Sequence, residues 1–225
     1  MKKIKNKIKQ DNFYKKLAYS SILVKIVDPP SENIDIEEAI SAIEEAIPYD
    51  LISGYVEEII FGNFDFFKEK NFNAFYDKEN KIIYIRSEAQ SSQRDLLDDL
   101  IHELSHAIEK KFNMDIYSDG FLKAEFIKKR LKLFYSLIID YGSEITADKF
   151  LMTSYDEELD SFFYKAVGYE KMKSYIGDIF PSTYAPTSIS EYWAEGFEKY
   201  VLGDHDALRR CPRLYNKIDT LFKGE

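Results

Sequence analysis

Two of the three histidines in this 225-residue chain stand four positions apart in "DLLDDLIHELSHAIEKKF", residues 95–112. No other feature constrains the fold as much. Each residue of a helix advances about 100°, so positions i and i+4 share one face. Read as a helix over 91–112, with Ser91 or Ser92 as its N-cap, the segment presents His102 and His106 to one point. Leu97, Ile101, Leu104 and Ile108 form an apolar ridge on the other side. That ridge can pack into the helical lobe while both imidazoles look into a cleft.

Glu103 stands between the histidines, which makes the pattern H-E-x-x-H. Each part has a chemical reason. Two neutral imidazoles bind Zn²⁺, an open coordination position holds water, and the metal lowers that water's pKa to about 7. Glu103 is rotated about 100° from His102, within reach of such a water without being a ligand. It is the expected general base in peptide-bond hydrolysis, and one Zn²⁺ per chain is the expected cofactor. The competing reading is an amphipathic helix that carries two histidines and no metal.

Composition narrows the setting. Hydrophobic residues make up 45% and aromatics 16% of the chain, enough apolar surface to exclude disorder. A net charge of −9 argues against a nucleic-acid partner, because phosphate contacts demand a basic surface. The single cysteine, Cys211, excludes an intrachain disulfide and a cysteine zinc cluster. The basic start leads into Leu17–Val24, which is interrupted by Tyr19, Ser20 and Ser21 and stopped by Lys25. It reads as a helix followed by a strand and not as a signal peptide. No run is long enough to span a bilayer. The chain thus reads as cytoplasmic by default, with export only by a leaderless route.

Punctuation along the sequence gives the organisation. A helix is expected over 33–47, ended by Pro48, a strand over 54–64, and a hairpin over 72–88 turning at Asp77–Asn80. The strand at Ile82–Arg86 is the expected sheet edge for pairing with an extended peptide. Helices are expected over 120–139, 143–152, 155–166, 188–202 and 212–222, with loops at 113–120 and 168–187. The fold class is α+β: a small β-containing N-terminal lobe over about 1–112, including the active-site helix 91–112, and a mostly helical C-terminal lobe over about 113–225.

A zinc site needs a third protein ligand. The long metzincin pattern requires glycine at 109 and histidine at 112, where this chain has Glu109 and Phe112. His205 lies in a polar, loop-like context. Glu125 lies 19 residues past His106 without the polar companions of the thermolysin-like motif. Glu144, in "GSEITADKF", has the E-x-x-A-D pattern of several glutamate-type zincins. Glu191, in "SISEYWAEGFEKYV", follows Ser188 at capping-box spacing on an amphipathic helix. Periodicity alone leaves Glu144 and Glu191 open.

Taken together, "HELSHAIE", Tyr184, "EYWAEGF" and the trailing "CPRLYNKIDTLF" resemble the catalytic-domain family of anthrax lethal factor, which includes secreted clostridial Pro-Pro endopeptidases. The resemblance covers about 80–225 and does not extend through 1–70. It implies a single zincin-like metallopeptidase domain over 1–225 that cleaves a protein or peptide substrate. It implies Glu191 as the third zinc ligand and Tyr184, seven positions earlier, as a catalytic tyrosine that stabilises the oxyanion. It also places an acidic residue three past the second histidine, where Glu109 stands. Metal-bound imidazoles donate their other N–H to an acceptor, a role open to Glu109 and Glu195. The substrate loops do not align, so a Pro-Pro preference is not implied. The alternatives are a regulatory metallopeptidase that uses Glu144 as third ligand and an inactive zincin-like binding or toxin module.

Overall fold

The computed structural model describes residues 14–70, 72–142 and 145–224. The chain divides into two compact units, one ending at Lys111 and the other beginning at Phe112. In the first, β1 (Tyr14–Ala18), β2 (Ile22–Ile26), β3 (Glu58–Gly62), β4 (Ala74–Asp77) and β5 (Ile82–Arg86) form one mixed sheet in the order β1-β2-β3-β5-β4. The helices of this unit are α1 (Ile36–Ala46), α2 (Tyr49–Ile52), α3 (Asp65–Lys70) and α4 (Gln93–Lys111). Every strand among the described residues belongs to this unit, so the chain is a mixed α/β protein with an all-helical second unit over its described part.

β2, β3 and β5 run parallel, and each outer strand is antiparallel to its neighbour. A parallel step needs a crossover, which α1 and α2 supply between β2 and β3. The Asp35 side chain accepts the Glu38 N–H and starts α1, and Ile36, Ala39, Ile40 and Ile43 give it one buried face. In the β4–β5 turn the Asp77 carboxylate accepts the N–H groups of Glu79 and Asn80, both at 3.1 Å.

Two expectations are corrected here. Residues 82–86 are interior, because β5 pairs with β3 on one side and β4 on the other. Ile82, Ile83, Tyr84 and Ile85 are all buried, and a strand covered on both faces takes a central position. The edge on that side is β4. The N-terminal segment, expected as helix then strand, is a hairpin over 14–26; residues 1–13 lie outside the described residues. Its turn holds Tyr19 and Ser20 at φ of 49° and 58°, a conformation that glycine and asparagine favour. The Tyr19 hydroxyl secures it, with the Ile43 and Ile47 carbonyls at 2.7 and 2.8 Å to share its one proton.

α4 is capped by Ser92, whose hydroxyl accepts the Asp95 N–H at 3.1 Å. Ile101, Leu104 and Ile108 are buried as expected, joined by Leu96, Leu100 and Ala107, while Leu97 is only half-buried. Within its own unit α4 packs on β4, β5, α1 and α2. Each fully buried leucine or isoleucine stabilises this arrangement by about 1.5–3 kcal/mol.

The second unit contains α5 (Asn113–Tyr117), α6 (Phe121–Tyr141), α7 (Ala147–Leu151), α8 (Glu157–Ser161), α9 (Tyr169–Ile176), α10 (Ile189–Val201), α11 (His205–Leu208) and α12 (Pro212–Lys223). α6 is the hub, in contact with α5, α7, α9, α10 and α12. α5 and α9 occupy segments expected as loops, and α8 continues into a π-helical stretch over Phe162–Val167. Gly196 lets α10 approach α12, since a Cβ there would lie 2.2 Å from Leu214 Cδ2. Among the described residues no helix is long and apolar enough to cross a membrane.

α8 starts at Asp156, whose carboxylate accepts the Leu159 N–H at 2.8 Å and a hydrogen bond from Lys149 Nζ at 2.9 Å. These bonds hold the carboxyl below its ordinary 3.8, the lysine contributing most. A depressed carboxylate stabilises the fold above its unfolded pKa, and that contribution is lost as pH falls through the lower folded value. Urea midpoints of wild type and Asp156→Asn are therefore expected to differ at about pH 6 and to draw together as pH falls through the lowered folded value.

Candidate metal centre

In the first unit α4 brings four of the expected residues together. The His102 and His106 rings lie with centroids 5.1 Å apart at an interplanar angle of 76°, and both side chains are half-buried. Glu103 between them is buried, and so is Glu109. His106 Nδ1 is 3.4 Å from Glu109 Oε2, the kind of carboxylate contact that orients a histidine ring. The Ser105 hydroxyl donates to the His102 carbonyl at 2.6 Å. An imidazole oriented by a carboxylate suits Zn²⁺.

Asp99 is a residue that the sequence reading missed. Burial pushes its carboxyl up, opposed by a 2.8 Å hydrogen bond from Gln90 Nε2 and by the nearby His102. Its position three before His102, on the same helical face, was the available signal.

In the second unit Glu191 occupies the first turn of α10 and is half-buried. Its N–H donates to the Ser188 hydroxyl at 3.0 Å, so the expected N-cap forms. Tyr192, Trp193, Ala194 and Phe197 are fully buried beneath it. Of the acidic residues beyond, Glu195 is half-buried. Glu198, which the helical pattern places on the polar face, is buried and accepts from Lys199 Nζ at 2.8 Å.

Tyr184 precedes α10 in a turn in which the Ser182 hydroxyl accepts the N–H groups of Tyr184 and Ala185 at 3.2 and 3.1 Å. Burial, then the negative charges of Glu191 and Asp160, push its phenol far above the ordinary value. The hydroxyl therefore keeps its proton across the working range and stays a donor. Tyr184 and Glu191 are thus electrostatic neighbours within this unit.

Two other third-ligand candidates have different engagements. Glu125 accepts from the Tyr192 hydroxyl at 2.8 Å and from the Arg213 and Leu214 N–H groups at 3.0 and 3.2 Å, which caps α12. His205 is exposed and packs edge-on against Tyr200, ring centroids 5.5 Å apart. Glu144 lies outside the described residues.

No protein-family model, curated protein or solved structure matches this chain.

Proposed function

We propose that the chain is a zinc-dependent metalloendopeptidase of zincin type, with His102, His106 and Glu191 as ligands of one Zn²⁺ and a protein or peptide as substrate. The observation that carries this reading is the α4 constellation: paired imidazoles, buried Glu103 between them, and Glu109 against His106 Nδ1. The sequence resemblance to the lethal factor family supports Glu191 and Tyr184.

A zinc ion held there supplies Lewis acidity and a water with a pKa of about 7. Glu103 would take a proton from the attacking water and deliver it to the departing amine. Tyr184 donates its hydroxyl proton in a hydrogen bond to the developing oxyanion. Glu109, 3.4 Å from His106 Nδ1, orients that ring. Glu195, one turn past Glu191, is the second carboxylate suited to orient a ligand imidazole.

Elemental analysis of zinc per chain, on wild type, Glu191→Ala and Glu144→Ala, tests the reading. The expected result is about one zinc in wild type and in the Glu144 variant, and loss of zinc in the Glu191 variant. Loss only in the Glu144 variant would transfer the third-ligand role to that residue and remove Tyr184 from the mechanism. A wild type that takes up no zinc would reduce the α4 histidines to a helix face. Zinc binding without cleavage of any peptide in a mixture library would favour the inactive binding module.

A further inference from the structure

A second group of side chains in the helical unit lies beside Tyr184 and has no part in the chemistry above. Asp160, in the last turn of α8, accepts two tyrosine hydroxyls, one on each carboxylate oxygen. Tyr155 donates to Oδ2 at 2.7 Å and Tyr169 donates to Oδ1 at 3.1 Å. The Tyr169 ring then meets that of Tyr184 edge-on, centroids 6.5 Å apart at 65°, and the ring of Tyr164 at 5.8 Å.

The segment carrying Tyr155 is itself anchored twice. The fully buried Arg130 donates from Nη1 to the Met152 carbonyl, with its guanidinium over the Phe126 and Phe150 rings at 5.2 and 5.8 Å. The next carbonyl, Thr153, accepts the Ile189 N–H at 2.8 Å and so fixes the start of α10. One short stretch, 152–160, thus holds both the helix that bears Glu191 and the aromatic wall against Tyr184.

We propose that Asp160 is a positioning residue: by accepting the hydroxyls of Tyr155 and Tyr169 it locks the Tyr169 ring against Tyr184 and so fixes the direction in which the Tyr184 hydroxyl points. The catalytic consequence rests on the reading of Tyr184 as the oxyanion donor. A half-buried phenol has two rotatable side-chain bonds, and a donor contributes to the transition state only when it is aimed before the reaction begins. A carboxylate that grips a neighbouring tyrosine at each oxygen supplies that aim without touching substrate. Charge-assisted O–H···O⁻ bonds are stronger than neutral ones, which suits Asp160 to the role.

The test labels Tyr184 with 3-fluorotyrosine in the full chain and reads its ¹⁹F line, with the same label at Tyr200 as control. Tyr200 lies in the same unit but bonds to Asp219 and packs on Tyr215 and Phe222. The expected result is one narrow line at position 184 in the otherwise wild-type protein. Asp160→Ala broadens or splits it, Tyr169→Phe does so to a smaller degree, and the control line stays in place. In parallel, cleavage of a mixture peptide library by the zinc-loaded protein is expected to show kcat lowered by about 10- to 100-fold in Asp160→Ala, with KM unchanged. That loss should not exceed the loss in Tyr184→Phe.

An unaltered line at 184 in both variants would overturn the proposal. So would equal disturbance of the control line, which marks general loosening, or full kcat in a variant whose 184 line has split. A wild type that cleaves nothing would defeat the peptidase reading instead, and the ¹⁹F lines would then decide the positioning claim alone.

Discussion

Replacing Glu103 with glutamine is expected to lower kcat by about 10²- to 10⁴-fold while leaving zinc content and urea midpoint near wild type. The substitution keeps shape and hydrogen-bonding capacity but removes the proton acceptor. That distinction matters because Glu103 is buried. Truncation to alanine would leave the polar partners of Glu103 unsatisfied, at about 1–3 kcal/mol, and would confuse catalysis with stability. In the glutamine variant a loss confined to kcat isolates the proton-transfer role, since an interaction made only in the transition state lowers kcat and kcat/KM together. Full activity in Glu103→Gln, with zinc retained, would remove Glu103 as the general base and leave the metal site standing.

α4 was legible because three independent signals agree on it: histidines at i and i+4, a ridge at helical period, and a serine at the N-cap. The β4–β5 hairpin announced itself through Asp77 and the polar turn that its carboxylate ties. The placement of 82–86 inside the sheet was harder to read, because an apolar run of this length fits an edge or a centre until its neighbours are known. The Tyr19–Ser20 turn gave no signal, since neither residue favours positive φ and a tertiary bond from the Tyr19 hydroxyl to α1 holds it. α9 was hidden by the glycines that bound it, Gly168 and Gly177, which mark a loop as readily as the two ends of a short helix.

The candidate site divides the same way. His102, Glu103, His106 and Glu109 lie within eight residues of one helix, so local spacing alone brings them together. Asp160, Tyr155 and Tyr169 share no helical face, and no periodic pattern links them to Tyr184. They meet through the fold of α8, the π-helical turn and α9, which only tertiary packing specifies. Glu125 shows the converse case. Its spacing from His106 suits a ligand, yet its carboxylate caps α12 and holds Tyr192.

The largest expected effect on stability is at Trp193, the chain's single tryptophan. It is fully buried in α10, 6.0 Å from the Phe197 ring, two residues past Glu191. Trp193→Ala is expected to cost about 3–5 kcal/mol, because transfer free energy is lost and the cavity collapses only partly. The close α10–α12 approach at Gly196 leaves little room for α10 to shift and fill the space. Urea unfolding followed by far-UV circular dichroism gives the comparison, since the variant lacks the fluorophore that would report on wild type. Adding zinc to about 1,000 times its Kd should stabilise a zinc-binding wild type by about 4 kcal/mol. Trp193→Ala should lie below wild type with and without zinc. Glu191→Ala should match wild type in the absence of metal and lose only the zinc-dependent increment. If Glu191→Ala kept that increment, the helix carrying Trp193 would be structural alone, and the third ligand would have to be sought elsewhere.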